Sequence, residues 1–324
     1  MNSPATAHNP AAEAAAAVGD GYDVRVLEPS PPAVVDPPFW ADDPADPGAP
    51  GNNPVVAPHC GGDLSWDELI ATRPDLAGFA ADRWLGARRR LPDLPTDYPR
   101  ALFDFHRLAY SVVAEARYQC NGKFGLRYVR GGFGTPFFGN DSQVRVTGDQ
   151  LVVQEAGQAR AAPVTTLREA GEFVGTAPGT SAAEHDSPEL GDIDRPLHVR
   201  AAVGDFLGAW FGLATAALEE LRFSPGVVDP ERVQLWPGHF DPAIAAGDAE
   251  SGRRATFGFS PGDHAHDEPY IYVAAWGDID RSDPFWNEKD FNGASLPYAA
   301  LANSDDHCAA AVAFLEGGYT RLNR

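Results

Sequence analysis

Two short polar dyads interrupt apolar runs late in the chain: His239-Phe240-Asp241 and His266-Asp267-Glu268. Both lie beside segments whose composition predicts strands, and in a strand residues i and i+2 point to the same face. His239 with Asp241, and His266 with Glu268, would then each present an imidazole and a carboxylate on one side. If the two segments pair, the four side chains converge, and two imidazoles with two carboxylates suit a divalent metal such as Zn²⁺, Fe²⁺ or Mn²⁺. The same region supports a metal-free chemistry. Asp241, Asp263 and Glu268 stand among Trp236, Tyr270, Tyr272, Trp276 and Trp286, with Asn287 next in the chain. Paired carboxyl groups do general acid–base work and aromatic faces stack on rings. This second reading makes Asp241, Asp263 and Glu268 catalytic, and the aromatic residues with Asn287 ligand-binding, for a sugar-like small molecule. Against both stands a plain alternative. The His and Asp side chains then make ordinary hydrogen bonds, 263–268 is a polar surface turn, and the aromatic residues are core and rim.

Other candidate chemistry is thinner. Gly131-Gly132-Phe133-Gly134 lacks the strand-to-helix context of a phosphate loop, and no G-x-S-x-G elbow occurs. The three cysteines, Cys60, Cys120 and Cys308, are odd in number and form no C-x-x-C. That argues against a disulfide framework or a cysteine-rich zinc site and predicts reduced thiols, with Cys308 on the inward face of its helix. His106, on a mostly apolar helix, reads as a hydrogen-bonded core residue, and His307 as solvent-facing.

These groups need a scaffold, and the apolar periodicity predicts one of α+β class with antiparallel sheets and packed helices. Residues 1–60 are dominated by Pro, Ala, Gly, Asp and Asn, which predicts a disordered tail. From 61 to 324 the pattern is globular. Ser65-Trp66-Asp67-Glu68 has capping-box spacing. Thr96-Asp97-Tyr98-Pro99 opens a helix whose apolar positions, from Leu102 to Val113, recur every three or four residues to about Ala116. Strands follow over 124–129, 133–138, 144–147 and 151–155, the last two joined by a turn at Thr147-Gly148-Asp149-Gln150. Thr166-Leu167-Arg168-Glu169 opens a short helix that Gly175 ends. After a loop over 176–196, a helix with a broad apolar face runs from Val203 through Trp210 to Leu221. Strands resume over 233–236, 239–245, 255–259 and 270–276. Ser304 caps a last helix that Gly317-Gly318 stops. The order suggests two similar halves, about 96–175 and 197–324, echoed by Phe133-Gly134-Thr135-Pro136 and Phe257-Gly258-Phe259-Ser260-Pro261.

The strings Leu235-Trp236-Pro237-Gly238-His239-Phe240-Asp241, Phe259-Ser260-Pro261-Gly262-Asp263 and Glu268-Pro269-Tyr270-Ile271-Tyr272-Val273 carry a family resemblance. With them go Phe285-Trp286-Asn287, Leu296-Pro297-Tyr298 and Gly131-Gly132-Phe133-Gly134-Thr135-Pro136. Together they resemble a family of uncharacterised bacterial proteins known only as a domain of unknown function, over roughly Leu91 to Leu322. The resemblance implies the two-half organisation and brings with it no activity, substrate or catalytic residue.

Charge narrows the partners. The formal net charge is −21, with lysine only at Lys123 and Lys289. Such a surface repels nucleic acid and anionic membrane, whose phosphates need neutralising. There is no basic n-region with an apolar run behind it and no stretch of about 18 apolar residues, which predicts a cytoplasmic chain with no membrane span. Three functional classes follow: an enzyme with its site in the C-terminal half, a non-catalytic small-molecule binder using an aromatic cleft, and an interaction protein recruiting partners through its Pro-rich tail. The sequence carries no signal for oligomeric state.

Overall fold

The computed structural model describes residues 90–324 except 130–131, 137, 139–141, 156–157 and 182–186, together with isolated positions between 56 and 74. The expected tail and the helix expected from Ser65 fall on residues outside those described, apart from a short parallel pairing of Val56–Ala57 with Leu64–Ser65.

The helix predicted from Tyr98 begins as its sequence indicates, with Pro99 in the opening turn of α1 (Tyr98–Leu108). It continues through a π-helical stretch, Ala109–Ala114, into α2 (Glu115–Asn121), and so passes the expected end near Ala116. Gly122, at φ 74°, closes it in the left-handed conformation that glycine adopts without strain. Asp97 does not cap the helix; its carboxylate meets His198 Nε2 at 3.1 Å instead.

A five-stranded antiparallel meander follows: β1 (Arg127–Val129), β2 (Gly132–Gly134), β3 (Ser142–Thr147), β4 (Gln150–Glu155) and β5 (Gln158–Pro163). Gly148, at φ 58°, makes the tight turn between β3 and β4. The capping box forms as expected in α3 (Leu167–Val174), where the Thr166 side chain accepts from the Glu169 N–H. The long helix α4 (Ala201–Phe223) then leads into a second antiparallel meander. Its strands are β6 (Gln234–Trp236), β7 (Asp241–Asp248), β8 (Arg253–Ser260), β9 (Tyr270–Ala275) and β10 (Gly293–Pro297). Helices α5 (Tyr298–Ala302) and α6 (His307–Leu322) end the chain.

The architecture is therefore α+β, a helix and a five-strand meander repeated. The two sheets adjoin at their first strands, where Leu126 and Leu235 exchange backbone hydrogen bonds of 2.9 and 3.0 Å. The sequence echo that suggested the repeat is not what makes it. Gly134 lies on the second strand of its sheet and Gly258 on the third.

One face of each sheet packs on the helices. Tyr128, Phe133, Val146 and Leu151 share the inner face of the first sheet; Ile244, Phe257, Phe259, Ile271 and Val273 share that of the second. Helix α4 lies under both. Its fully buried Trp210 meets Phe259 edge-on at 5.4 Å, and Phe211 meets Phe133 at 6.1 Å and Phe240 at 5.1 Å. Burying each such side chain contributes roughly 1.5–3 kcal/mol. Contrary to the sequence reading, this helix is long and apolar enough, over Ala201–Arg222, to cross a membrane by length and composition; 78% of the apolar window is buried inside the fold. A helix that is apolar nearly all round belongs in a core, and the two sheets provide one.

Three further expectations are corrected. Strands β5 and β10 lack the β-branched residues that mark strands, and pairing with their neighbours forms them regardless. Gly317-Gly318 does not stop the last helix. A Cβ on Gly318 would come within 2.8 Å of Val273, so glycine there lets α6 lie close on β9. His307 is not solvent-facing: it is 3% exposed and its Nδ1 accepts from the Leu91 N–H at 2.7 Å, while Asp306 caps the helix in place of Ser304.

Candidate functional site

Among the described residues that line the outer face of the second sheet none belongs to a helix, and the alternate residues of its strands build a cleft. Register sets Trp236 opposite Asp241, Gly258 between Ala243 and Tyr272, Thr256 opposite Ala274 and Ser260 opposite Tyr270. The cleft is about 420 Å³, within the range of small-molecule sites. Ala243 and Ala274 keep its floor low, while Trp236, Tyr270, Tyr272 and Phe291 stand as walls. Gly258 is required beneath Tyr272, because a Cβ there would come 2.4 Å from the phenol oxygen.

The β6–β7 turn delivers the central carboxyl. Phe240 has φ 57°, a left-handed conformation that costs a non-glycine residue on the order of 1–3 kcal/mol. It is held there by its fully buried ring, which stacks on His106 at 5.4 Å and meets Phe133 edge-on at 4.8 Å. His106 also hydrogen-bonds the Pro237 carbonyl through Nε2 at 2.8 Å, a core role as expected, and burial pushes its pKa down to about 4. The reversal at Phe240 breaks the strand alternation. His239 sits in the turn, exposed, and only Asp241 belongs to β7. Both still line the cleft.

Asp241 is 5% exposed. Its Oδ2 accepts from the Tyr272 hydroxyl, and among the described residues its Oδ1 has no hydrogen-bond partner. Burial pushes its pKa up, against the opposing pull of His239 and of the Tyr272 hydrogen bond. Asp263 is the opposite case. Its Oδ1 accepts from the N–H groups of Ala265 and His266 at 2.8 and 2.9 Å, and its Oδ2 from the Tyr270 hydroxyl at 2.6 Å. Partial burial works against the charge, yet these hydrogen bonds outweigh it and hold the carboxyl below the usual range. The cleft thus contains one carboxyl biased toward the acid and one fixed as the anion.

The other predicted residues fall around this centre. Glu268 is exposed in the coil before β9 and does not line the cleft. His266 lies in the Asp263 turn, its ring 4.3 Å from that of Tyr270, and faces Glu288 across 3.6 Å. The proposed metal set of His239, Asp241, His266 and Glu268 is therefore not assembled. His266 and Glu268 precede β9 in a turn, so strand alternation never acts on them. Trp276 is 59% exposed just past β9, donating to Thr256 Oγ1 at 2.9 Å outside the cleft proper. Trp286 is a core residue, packed edge-on against Phe285 at 4.9 Å, and not a wall. Asn287 grips β10, donating to the Ser295 carbonyl at 3.0 Å and accepting from its N–H at 2.9 Å. Both anchor the loop that carries Glu288 and Phe291. Glu288, Phe291, Thr256 and Ser260 were missed from sequence; for the last two, period-2 alternation with Gly258 was the available signal.

No family model matches the chain, and neither a curated protein nor a solved structure matches it. The family resemblance rests on the quoted motif strings alone.

Proposed function

We propose that the protein is an enzyme acting on a small, neutral, ring-shaped polar molecule in the outer-face cleft, with Asp241 as general acid. The observation that carries this reading is the Asp241 carboxyl, buried at the cleft wall with one oxygen unpartnered. A buried polar atom without a partner costs free energy, so its retention at a cleft points to a group reserved for a ligand. Trp236, Tyr272 and Phe291 supply faces for a ring. Asp263 supplies a fixed negative charge, and two carboxyls driven apart in pKa are the usual arrangement of acid–base sites. His239, exposed and near enough for its charge to act on Asp241, connects that proton to solvent. We place the protein in the cytoplasm with Cys120 and Cys308 as free thiols, and assign it neither nucleic acid nor membrane as partner.

A panel of neutral saccharides and aryl glycosides, screened by thermal shift and then for turnover, tests this. Asp241→Asn should bind the stabilising compounds and turn them over about 10²–10⁴ times more slowly, the range for a lost general acid. Turnover unaffected by the substitution would sink the assignment. Stabilisation of both proteins without turnover would favour the second reading, a non-catalytic binder. That reading draws support from Asp263, whose oxygens are already engaged and leave no second free carboxylate to act as base.

A further inference from the structure

We propose that His266, Glu288 and Asp290 bind one divalent transition-metal cation at the rim of the cleft. The ligand atoms of these three residues all lie within 4.8 Å of one another. His266 Nε2 and Glu288 Oε1 are 3.6 Å apart. An ion with bonds of about 2.0–2.2 Å holds neighbouring donors roughly 3–3.5 Å apart, so the His266–Glu288 pair needs only slight closure, while Asp290 closes in from within 4.8 Å.

The imidazole itself calls for a cation. Carboxylate oxygens flank both ring nitrogens: Asp263 Oδ1 lies 3.4 Å from Nδ1 and Glu288 Oε1 3.6 Å from Nε2. Nδ1 is buried and makes no hydrogen bond to any described residue. A neutral ring carries one N–H, so its other lone pair must confront an acceptor. With the proton on Nδ1, toward Asp263, the Nε2 lone pair and the Glu288 carboxylate face the same small space. A metal ion there turns that repulsion into coordination, and the Asp263 charge 3.4 Å behind the ring favours the proton on Nδ1.

The surroundings are built for rigidity. Asp263 is locked by the two N–H groups of its own turn, and the His266 ring leans on Tyr270. Glu288 accepts from the Ser295 hydroxyl, and its backbone is tied to Gly293 at 3.2 Å and to Arg281 at 2.7 Å. Asp290 is exposed, which leaves the outer coordination positions to water or a ligand. One imidazole with two carboxylates selects Mn²⁺ to Zn²⁺ over Mg²⁺ or Ca²⁺, which prefer all-oxygen sets. Asp241 takes no part, so loss of the metal would leave its role as general acid standing; Asp263 borders both sites.

The test is calorimetric titration of metal-stripped full-length protein with Zn²⁺, with Co²⁺ absorption as a spectroscopic readout. One tight equivalent is expected in the wild type. That equivalent should vanish in His266→Ala and weaken at least tenfold in Asp290→Asn, whose exposed position keeps the fold intact. Asp263→Asn should weaken it about 10–100-fold without abolishing it, as for a residue behind a metal-binding histidine. Equal Zn²⁺ affinity in wild type and Asp290→Asn would overturn the proposal. So would a His266 ring that stays doubly protonated by ¹⁵N NMR in the presence of Zn²⁺, since that ring would be an imidazolium pinned between two carboxylates.

Discussion

Replacing Asp241 by Asn removes a charge while keeping the shape, and the structure gives the effect a sign. Burial raises the folded-state pKa of this carboxyl above its ordinary value, which in the unfolded chain is about 3.9. The folded state therefore holds the proton more tightly. Wild-type stability is complete below the unfolded pKa and falls as pH rises through the folded one. Above that point the ionised group keeps Oδ1 buried and unpartnered, a penalty of about 1–3 kcal/mol. An Asn oxygen still accepts from the Tyr272 hydroxyl, exchanging a charge-assisted bond for a neutral one at a loss of about 1 kcal/mol. The balance favours the variant by about 1 kcal/mol once pH exceeds the folded-state pKa and by nothing below about pH 4. For a domain of this size that is a Tm higher by about 2–4 °C. Thermal and urea melts of both proteins between those limits should show the difference opening with pH. A difference that stays constant across pH, or a variant less stable at the alkaline end, would refute the claim that an unsatisfied buried anion sits at the cleft wall.

Trp210→Ala should cost about 3–5 kcal/mol in urea melts, as a large-to-small change against Phe259 and Tyr298. Trp210→Phe should cost under about 1.5 kcal/mol, because the indole N–H has no acceptor among the described residues; equal losses for the two would mean the indole's polar end matters after all. Gly258→Ala puts a methyl 2.4 Å from the Tyr272 phenol, so the ring should swing away and leave both Asp241 oxygens bare, at a stability loss of about 1–3 kcal/mol. Its readout is the Asp241 carboxyl ¹³C shift, and an unmoved resonance would show that Tyr272 does not hold that carboxyl.

How much of this was legible beforehand depends on the range of the force involved. Local signals read true: the capping box at Thr166, Pro99 in a first turn, Gly148 and Gly175 at positive φ. Strands with aromatic and aliphatic alternation, such as 270–275, were also clear. Strands made by pairing were not, since nothing within Gln158–Pro163 prefers a strand until β4 lies beside it. At the site, Trp236, His239, Asp241, Asp263, Tyr270 and Tyr272 were named from sequence and do share the cleft. The reason offered for the His239–Asp241 dyad does not hold, because Phe240 reverses the chain between them. The partnership of His266 with Glu288 spans a loop that folds back along β10, and no local periodicity encodes such a return.

The grip of Asn287 on Ser295 also bears on how these molecules meet one another. Strand β10 is the outermost of its sheet, and an outermost strand presents bare N–H and C=O groups on which a second chain can template. The Asn287 amide has one donor and one acceptor in the spacing of a peptide unit, and it occupies both backbone groups of Ser295. Pro297, at the strand's end, has no N–H to offer. On that side the backbone groups of Ser295 are held by this one side chain, and those of Gly293 by the Glu288 N–H and the Phe291 carbonyl of the same loop. Removing it would bare both groups of Ser295, and concentration-dependent self-association would be the sign that sets this role apart from its anchoring of the loop.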